Sequence, residues 1–330
     1  MTKRRLTNRQ QTRQESRLTR RVDDISLKPE QHGLLVAHYG TTLIVENQAG
    51  KLYRCSLRQN LGTLVTGDKV IWAPTEASES RGVVLACLPR HSLLCRPDGT
   101  SSQQSSKPIV ANIDQILIVA ARSPLPKETT LDRYLVLAEN FGIPAVLVFN
   151  KSDLPVLPEY EAYCERRAVY AKMGYPWIET SIQTQAGLDA LKEQLRGRTS
   201  IFMGQSGVGK SSLLTQLIPE ANIATQTLSR VQGQGRHTTT TTRLYHLPFG
   251  GDVIDSPGVN QFNLRHFSAA QVTQGFKEFQ PFLGQCRFRN CEHRQDPACA
   301  LQQAKAQGLI APFRMDNYHQ ILSDSDQVKF

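Results

Sequence analysis

The sequence predicts three folded parts: a small N-terminal β-barrel, a doubly wound α/β domain, and a C-terminal, mainly helical module with a metal site. Residues 33–97 hold short β-branched and apolar segments separated by turn residues. From residue 109 onward, apolar runs of strand length alternate with helical patterns, and three of the seven cysteines crowd into residues 286–299. A chain of 330 residues is long enough for several such cores.

The barrel is predicted from segments such as GLLVAHYG and GDKVIWAP, which are rich in β-branched and apolar residues and are separated by glycine, asparagine and proline. Short strands of even spacing suit a small barrel, of which the OB-fold is one form. A barrel without a binding role is the alternative. The polar, serine-rich stretch at 98–108 then predicts a linker.

The charge of the chain favours a polyanionic partner. The formal net charge is +10, and residues 1–22 alone hold eight lysines and arginines against one acid, Glu15. We therefore predict a basic, disordered arm over residues 1–32. It is either a solvated tail or an arm that contacts the phosphates of RNA or DNA.

No secretory or membrane signal is visible in the sequence. No apolar segment follows the basic N-terminal residues, and the longest aliphatic runs, such as ILIVAA at 116–121, have the length of a strand. An odd, clustered set of cysteines favours metal binding over a disulfide framework. The expectation is a cytoplasmic protein with no membrane partner, and a monomer, because no segment suggests a dimer interface.

The α/β domain is predicted over residues 109–270. The runs IDQILIVAA and IPAVLVFN are continuously apolar, as strands buried on both faces are. Between them, apolar residues recur at helical spacing up to Gly142, which is placed to end the helix. Thr129 or Thr130 is placed to cap its start.

The firmest local motif is a phosphate-binding loop. It follows the strand-like TSIFM and precedes the helical SSLLTQLI. Its glycines let backbone N–H groups and the helix N-terminus point at phosphate oxygens. Lys210 would contact the β- and γ-phosphates, and the Ser211 hydroxyl would bind Mg²⁺. The predicted phosphate-binding residues are Gly204, Gln205, Ser206, Gly207, Val208, Gly209, Lys210, Ser211 and Ser212.

A second motif predicts which base is bound. Asn150, Lys151, Ser152 and Asp153 follow an apolar strand, although a polar turn with these letters also arises by chance. The Asp153 carboxylate can accept hydrogen bonds from guanine N1–H and the 2-amino group. Adenine offers no such donors, so the motif favours GTP and argues against an ATP-using RNA-remodelling enzyme.

Three weaker elements complete a nucleotide site. Asp255 and Gly258 form a D-x-x-G motif, in which Asp255 could hold the Mg²⁺ shell and the Gly258 N–H could meet the γ-phosphate. An ordinary turn is the alternative. Thr239, in a run of threonines, could close over Mg²⁺, although a neighbouring threonine fits as well. Thr180 and Ser181 precede a helix and could form the loop beside the base.

These elements occur in an unusual order. The base-reading motif comes first, followed by the loop beside the base, the phosphate loop, the threonine segment and D-x-x-G. In an ordinary GTPase the phosphate loop comes first, so the order in this sequence is a circular permutation of the usual one. A circular permutation keeps the folded site when the old chain ends lie close together. We therefore predict a circularly permuted P-loop GTPase domain.

The segments LVTGD, ANIDQ, NKSD, FMGQSGVGKSSLL, GQGRHTTT and GGDVIDSPGV together resemble the RsgA (also called YjeQ) family of circularly permuted bacterial GTPases, which act in small ribosomal subunit biogenesis. The resemblance covers nearly the whole chain. It implies an OB-fold over 33–97, the permuted domain over 109–270, and a zinc domain with a C-terminal helix over 271–330. It implies the small ribosomal subunit, its rRNA, GTP and GDP as partners.

The cysteine cluster predicts the metal. Cys286, Cys291, His293 and Cys299 supply three sulfurs and one imidazole, the donor set of a closed tetrahedral Zn²⁺ site. Their spacing is not that of a standard finger, and an incidental cluster is the alternative from the residues alone. The resemblance implies the same four ligands, with one structural zinc ion per chain.

The sequence lacks a glutamine at the position where Ras-like GTPases orient the attacking water. Val259 follows D-x-x-G, where Ras-like enzymes place a water-orienting glutamine. We therefore expect slow GTP hydrolysis by the isolated protein and strong stimulation by a partner, which the resemblance implies is the small subunit. The resemblance also points to His237 as the water-positioning residue, and an ordinary loop histidine is the alternative. The expected function is GTP hydrolysis in late subunit maturation or checking, followed by dissociation. A non-enzymatic RNA-binding module with a nucleotide switch is the alternative.

Overall fold

The computed structural model describes residues 32–40, 42–57, 61–75, 78–97, 106–156, 158–218, 242–256, 264 and 267–326. The basic arm predicted over 1–32 lies outside these residues except for His32. So do four residues of the predicted hydrolytic site: His237, Thr239, Gly258 and Val259. The described residues form two compact units. The first holds the residues up to Cys95, with Pro108–Asn112 and 242–244, and the second holds the rest.

Five strands form the barrel of the first unit. They are β1 (His32–Tyr39), β2 (Thr42–Asn47), β3 (Leu52–Leu57), β4 (Lys69–Thr75) and β5 (Ser78–Cys87). Neighbours pair in the order β1–β2–β3–β5–β4, and β4 pairs again with β1, so the sheet closes. Closure leaves no free strand edge within this set. The predicted N-terminal barrel is confirmed.

The barrel core is built around Trp72, and two glycines make room for it. A Cβ atom at Gly33 would lie 2.8 Å from Trp72 Cδ1, and one at Gly82 would lie 2.7 Å from Trp72 Cε3. A larger residue at either position would displace the indole. The buried cluster around the ring comprises Leu35, Leu43, Val45, Cys55, Leu64, Val70 and Val84.

The LVTGD segment is a tight turn closed by a buried carboxylate. Asp68 accepts hydrogen bonds from the Val65 N–H at 2.8 Å and from Arg90 Nε at 2.6 Å. Gly67 has φ of 93°, and a Cβ there would lie 2.0 Å from the Ala111 carbonyl oxygen. Only glycine allows this close approach of two backbones.

Two further strands, β6 (Leu93–Pro97) and β7 (Ser106–Ala111), pair with each other. Residues 106–108 of the predicted linker therefore belong to a strand. The remaining linker residues, 98–105, lie outside the described part of the chain.

The second unit contains the predicted α/β sheet. Its strands are β8 (Gln115–Ala121), β9 (Ala145–Asn150), β10 (Trp177–Glu179), β11 (Thr199–Met203) and β13 (Asp252–Asp255), while β12 (Arg243–His246) has residues in both units. The five strands lie in the order β10–β9–β8–β11–β13, and all their pairings are parallel. β11, which leads into the phosphate loop, is therefore central although β8, β9 and β10 precede it in the chain. All residues of β8 and β9 are buried, as their continuous apolar runs predict.

The helices are α1 (Glu128–Phe141), α2 (Pro158–Lys172), α3 (Leu188–Leu195), α4 (Lys210–Leu217), α5 (Ala269–Gln274), α6 (Ala300–Ala306) and α7 (Pro312–Asp326), with a 3₁₀ helix at Lys277–Phe282. Gly142 ends α1 in the left-handed conformation, as predicted. The predicted start was wrong. The helix begins at Glu128 after an extended Lys127 that makes no side-chain cap, so Thr129 and Thr130 lie inside the first turn.

The C-terminal module is mainly helical, as predicted. It comprises α5, the 3₁₀ helix, α6 and α7. Its core stacks Phe276 on Phe279 at 4.9 Å between ring centroids, and both rings meet the edge of Tyr318 from α7. Within the described residues, no helix is both long enough and apolar enough to cross a membrane.

Candidate nucleotide site and metal centre

The phosphate loop connects β11 to α4 and depends on glycine at two close approaches. A Cβ at Gly204 would lie 2.2 Å from the Val119 carbonyl oxygen of β8. Gly209 has φ of 96°, and a Cβ there would lie 2.3 Å from Asn150 Nδ2. The loop is thus wrapped tightly against the ends of β8 and β9, and α4 begins at Lys210 with its N-terminus at the loop.

The ammonium group of Lys210 closes the loop on itself. Its Nζ donates hydrogen bonds to the Gly204 carbonyl at 2.8 Å and to the Gln205 carbonyl at 2.7 Å. Burial lowers the pKa of Lys210, although the charge of Asp255 opposes that shift. Burial likewise raises the pKa of Asp255, opposed by the charge of Lys210. The two predicted residues therefore carry opposite charges that interact in a partly desolvated region at the end of β13 and the start of α4.

The base-reading motif is tied directly to the phosphate loop. Asn150 Nδ2 donates to the Val208 carbonyl at 3.0 Å, and Lys151 Nζ donates to the Gly207 carbonyl at 2.8 Å. Lys151 Nζ also donates to the Ser123 carbonyl, at 2.5 Å. Two motifs that lie more than fifty residues apart in the chain thus share one site.

The predicted loop beside the base lies against the same motif. Thr180 and Ser181 are fully buried. The Thr180 hydroxyl donates to Asn150 Oδ1 at 3.2 Å, and the Ser181 hydroxyl donates to Asp153 Oδ1 at 2.5 Å. The Ser152 N–H donates to the Thr180 carbonyl at 3.0 Å. The Asp153 side chain is otherwise exposed and open to a ligand.

The remaining predicted phosphate residues surround the same loop. Gln205 Nε2 donates to the Thr130 hydroxyl of α1 at 3.3 Å. Ser211 and Ser212 lie in the first turn of α4 and are exposed. Gly258, Thr239 and His237 lie outside the described residues, so their placement in the site stays a prediction.

The sequence reasoning missed Arg122, whose side chain contacts both the segment after the NKSD motif and the segment before Thr180. Its Nη1 donates to the Leu154 carbonyl at 2.6 Å, directly after the NKSD motif, and its Nη2 lies 3.4 Å from Glu179, directly before Thr180. The guanidinium also lies over the Tyr160 ring, 4.8 Å from its centroid. A signal was present, because Arg122 is the first charged residue after the wholly apolar end of β8.

The four predicted metal ligands come together in the C-terminal module. Cys286, Cys291, His293 and Cys299 each present one ligand atom, and all four atoms lie within 4.8 Å of one another. His293 Nδ1 lies 3.5, 3.4 and 3.4 Å from the three sulfurs in turn. Ligands of a tetrahedral Zn²⁺ ion at normal bond lengths are about 3.6 Å apart, so the donor set and spacing fit that ion.

Neighbouring side chains hold the backbone of His293, the histidine of this cluster. The His293 carbonyl accepts from Gln302 Nε2 of α6 at 2.6 Å and lies 3.0 Å from His319 Nε2 of α7. Burial lowers the pKa of His293, which favours the neutral imidazole that metals bind.

Comparison with known proteins decides the family. Residues 87–265, more than half of the chain, match the family model described as RsgA GTPase. The chain belongs to the RsgA GTPase family. A small ribosomal subunit biogenesis GTPase RsgA of Hahella chejuensis is 48% identical over 314 residues, covering 94% of this chain and 89% of the relative. The RsgA of Pseudomonas aeruginosa is 45% identical over 318 residues, covering 96% and 92%.

Solved RsgA-like structures agree with the permuted fold. YjeQ from Thermotoga maritima superposes with a TM-score of 0.71 at 32% identity, covering 89% of this chain and 98% of that one. YloQ, described as a circularly permuted GTPase, superposes with a TM-score of 0.68 at 26% identity, covering 91% and 96%. The predictions of a permuted GTPase fold and of a GTP-hydrolysing enzyme are confirmed.

Proposed function

We propose that this chain hydrolyses GTP during late assembly or checking of the small ribosomal subunit and leaves the subunit after hydrolysis. The name carried by its RsgA relatives supports this partner. A net charge of +10 suits a surface rich in rRNA phosphates. In this proposal the protein acts as a cytoplasmic monomer. Its basic arm, barrel and metal module supply the rRNA contacts.

One observation carries the enzymatic part of the proposal. Asn150 and Lys151 donate hydrogen bonds to the carbonyls of Val208 and Gly207, which fixes the base-reading motif against the phosphate loop. A single nucleotide can therefore span both motifs. The protein then fixes the distance between the base-binding and phosphate-binding groups before the nucleotide binds. Less conformational entropy of the protein is therefore lost on binding.

Guanine recognition is assigned to Asp153. Its exposed carboxylate accepts hydrogen bonds from guanine N1–H and the 2-amino group, and the Ser181 hydroxyl holds its other side in place. Thr180 keeps the Asn150 amide oriented toward the loop. An Asp153→Asn variant should bind GTP at least about 100-fold more weakly, because an amide cannot accept both bonds. It should also gain affinity for XTP, whose 2-oxo group accepts the new amide N–H.

Phosphate binding is assigned to the loop 204–209 and the first turn of α4. Lys210 would exchange its two carbonyl partners for β- and γ-phosphate oxygens, while backbone N–H groups hold the remaining oxygens. Mg²⁺ bound together with GTP would supply positive charge next to the phosphates. Ser211 and Thr239 would be its ligands, and Asp255 would hold its water shell.

The residues proposed to position the attacking water lie outside the described part of the chain. The Val259 side chain cannot donate or accept a hydrogen bond, so the isolated protein is expected to hydrolyse GTP slowly. His237 would hold the attacking water in the subunit-bound protein, and the Gly258 N–H would meet the γ-phosphate. Unchanged subunit-stimulated turnover in a His237→Ala protein would remove His237 from the mechanism.

The metal centre is proposed to hold one structural Zn²⁺ ion. All four donors come from the protein, so the ion would have no open position for a water or substrate. Its role would be to fold the loop between the 3₁₀ helix and α6 into a fixed shape on the C-terminal module.

The decisive experiment measures phosphate release from GTP with titrated small subunits at several salt concentrations. The expected result is slow release alone and saturable stimulation by subunits, weakened by salt because phosphate contacts are lost. Subunit binding without any stimulated release would contradict the enzymatic proposal. It would favour an RNA-binding module that uses nucleotide only as a switch.

A further inference from the structure

The short loop between the first two metal ligands carries an exposed aromatic ring. The loop is Arg287-Phe288-Arg289-Asn290, bounded by Cys286 and Cys291. In the part of the chain that the structure describes, five large apolar side chains are exposed, and Phe288 is the aromatic one, with 44% of its surface accessible. The other four are Leu52, Leu57, Val156 and Leu309.

The loop is anchored at both ends, so the ring is presented by a fixed backbone. The sulfurs of Cys286 and Cys291 belong to the metal cluster. Inside the loop, the Cys291 N–H donates to the Phe288 carbonyl at 3.3 Å, and the Arg287 N–H donates to the Ala298 carbonyl at 3.4 Å. A ligand that contacts this ring would therefore order little additional chain.

Positive charge flanks the ring on both sides in the sequence. Arg287 and Arg289 are exposed, and the loop contains no acidic residue. The Arg287 guanidinium lies 5.6 Å from the centroid of the Phe288 ring, which places a cation beside the π-surface. An apolar ring between two guanidinium groups suits a ligand that alternates flat aromatic groups with negative charges.

A single-stranded nucleic acid has that alternation. Aromatic side chains stack on unpaired bases, and neighbouring arginines contact the phosphates on either side. A purely apolar protein pocket would leave both guanidinium groups without counter-charges, so the charge pattern favours nucleic acid over protein.

We propose that Phe288 is a stacking platform for an unpaired base of small-subunit rRNA, with Arg287 and Arg289 contacting the flanking phosphates. This proposal rests on the proposed function, which supplies the rRNA partner. The metal cluster then has two roles: it stabilises the fold of the module, and it fixes the position of the loop that carries Phe288.

The test compares ring-keeping and ring-removing variants of the full-length protein in binding to purified small subunits with a non-hydrolysable GTP analogue. Phe288→Leu keeps an apolar side chain but removes the ring, and should weaken binding by about 5- to 150-fold. Phe288→Trp keeps a stacking surface and should bind within about threefold of wild type. Metal content is measured for each protein, since a folded loop keeps the ion.

Leu309→Ala is the matched control. Leu309 lies in the same module between α6 and α7 and is 59% exposed, yet no arginine flanks it. Its truncation should leave binding unchanged. Arg289→Met should lower the slope of log affinity against log salt by about 0.7, the value expected for one phosphate contact to a single strand.

Two results would overturn the platform while leaving the proposed function intact. One is wild-type affinity of Phe288→Leu with normal subunit-stimulated GTP hydrolysis. The other is photo-crosslinking from position 288 to a ribosomal protein instead of rRNA. Failure of the wild-type protein to bind small subunits is distinguishable from both, because it would refute the proposed function and the platform together.

Discussion

Arg314 Nη1 of α7 lies 2.5 Å from Asp132 Oδ1 of α1, and both side chains are fully buried. Arg314 also donates to the Glu278 carboxylate, from Nε at 2.6 Å and from Nη2 at 3.0 Å. Burial alone would lower the pKa of Arg314, but the charges of Asp132 and Glu278 raise it well above its ordinary value. Asn317 of α7 donates to the other Asp132 oxygen at 2.6 Å. The C-terminal helix is therefore fastened to α1 by a buried, charged cluster.

Replacing Arg314 with methionine should destabilise the protein strongly. The substitution keeps much of the side-chain volume but leaves Asp132 and Glu278 buried without their counter-charge. Breaking a buried pair in this way typically costs about 3–5 kcal/mol. Urea unfolding followed by circular dichroism should show a lower midpoint for the variant.

Arg133 offers a matched control, because its ion pair with Asp324 joins the same two helices. That pair is partly exposed, with 29% and 36% of the side chains accessible. Arg133→Met should therefore change stability by no more than about 1 kcal/mol. Equal losses in the two variants would contradict the view that burial makes the Arg314 cluster important.

Replacing Arg122 with methionine should weaken guanine recognition more than turnover. The variant loses the hydrogen bond to the Leu154 carbonyl and the ion pair with Glu179. These contacts connect the segment that carries Asp153 to the segment that carries Ser181, so both segments become less firmly positioned. Loss of a charge-assisted hydrogen bond predicts about tenfold weaker GTP binding. The preference for GTP over ITP should fall with it, while kcat changes little.

Arg167 provides the comparison for that experiment. It lies 3.4 Å from the same Glu179 carboxylate but is 53% exposed, and it makes no hydrogen bond to the described residues that follow NKSD. Arg167→Met should bind GTP like the wild type in a fluorescent-nucleotide titration. An unchanged ratio of GTP affinity to ITP affinity in Arg122→Met would show that Arg122 contributes to packing but not to guanine recognition.

The parts that sequence reasoning predicted well depend on local chemistry. Continuous apolar runs gave the buried strands β8 and β9, because both faces of those strands are covered by helices and loops. Gly142 ends α1 because glycine tolerates the left-handed conformation. The four residues of the cysteine–histidine cluster, which the structure brings together, could be grouped because three thiols and one imidazole close in the chain are the donor set of a metal site.

The parts that it missed depend on residues that are distant in the chain. Asp132 and Asn317 are 185 residues apart, and nothing in either local pattern indicates their contact. Asp132 and Arg133 are adjacent charged residues on one helix, yet one is buried and the other partly exposed. The helix start at Glu128 was missed because Lys127, the residue before it, makes no side-chain cap that the sequence could signal.

Removing one cysteine of the cluster should empty the metal centre. Cys299 is buried at the start of α6, and the Ala300 N–H beside it donates to Cys286 Sγ at 3.4 Å. Cys299→Ala should reduce zinc from about one ion per chain to near zero and lower the melting temperature, because metal binding contributes to folding. Elemental analysis and thermal unfolding measure the two effects.

Cys164 is the control for that loss. Its thiol is free and exposed on α2, away from the cluster. Cys164→Ala should keep one zinc ion per chain. Full zinc content in Cys299→Ala, or a wild-type protein that holds no zinc after purification, would contradict the assignment of the site.

Replacing Asp255 with asparagine should stabilise the nucleotide-free protein and impair nucleotide binding. Burial raises the pKa of Asp255 above its unfolded value even though Lys210 opposes the shift, so the folded state disfavours the ionised carboxylate. This penalty is fully present above the folded pKa and disappears as pH falls below the unfolded pKa of about 3.9. The neutral amide escapes it at neutral pH.

The melting temperature of Asp255→Asn should therefore exceed that of the wild type near pH 7.5 without nucleotide, and the difference should shrink as pH falls toward 4. Adding GTP and Mg²⁺ should reverse the order, because the wild type gains binding free energy that the variant has lost. Asp252→Asn, at the other end of β13, removes the charge of a partly exposed carboxylate that lies 2.6 Å from His246 Nδ1, and it should show no gain at pH 7.5. A pH-independent difference for Asp255→Asn would mean that packing, and not the buried charge, sets its stability.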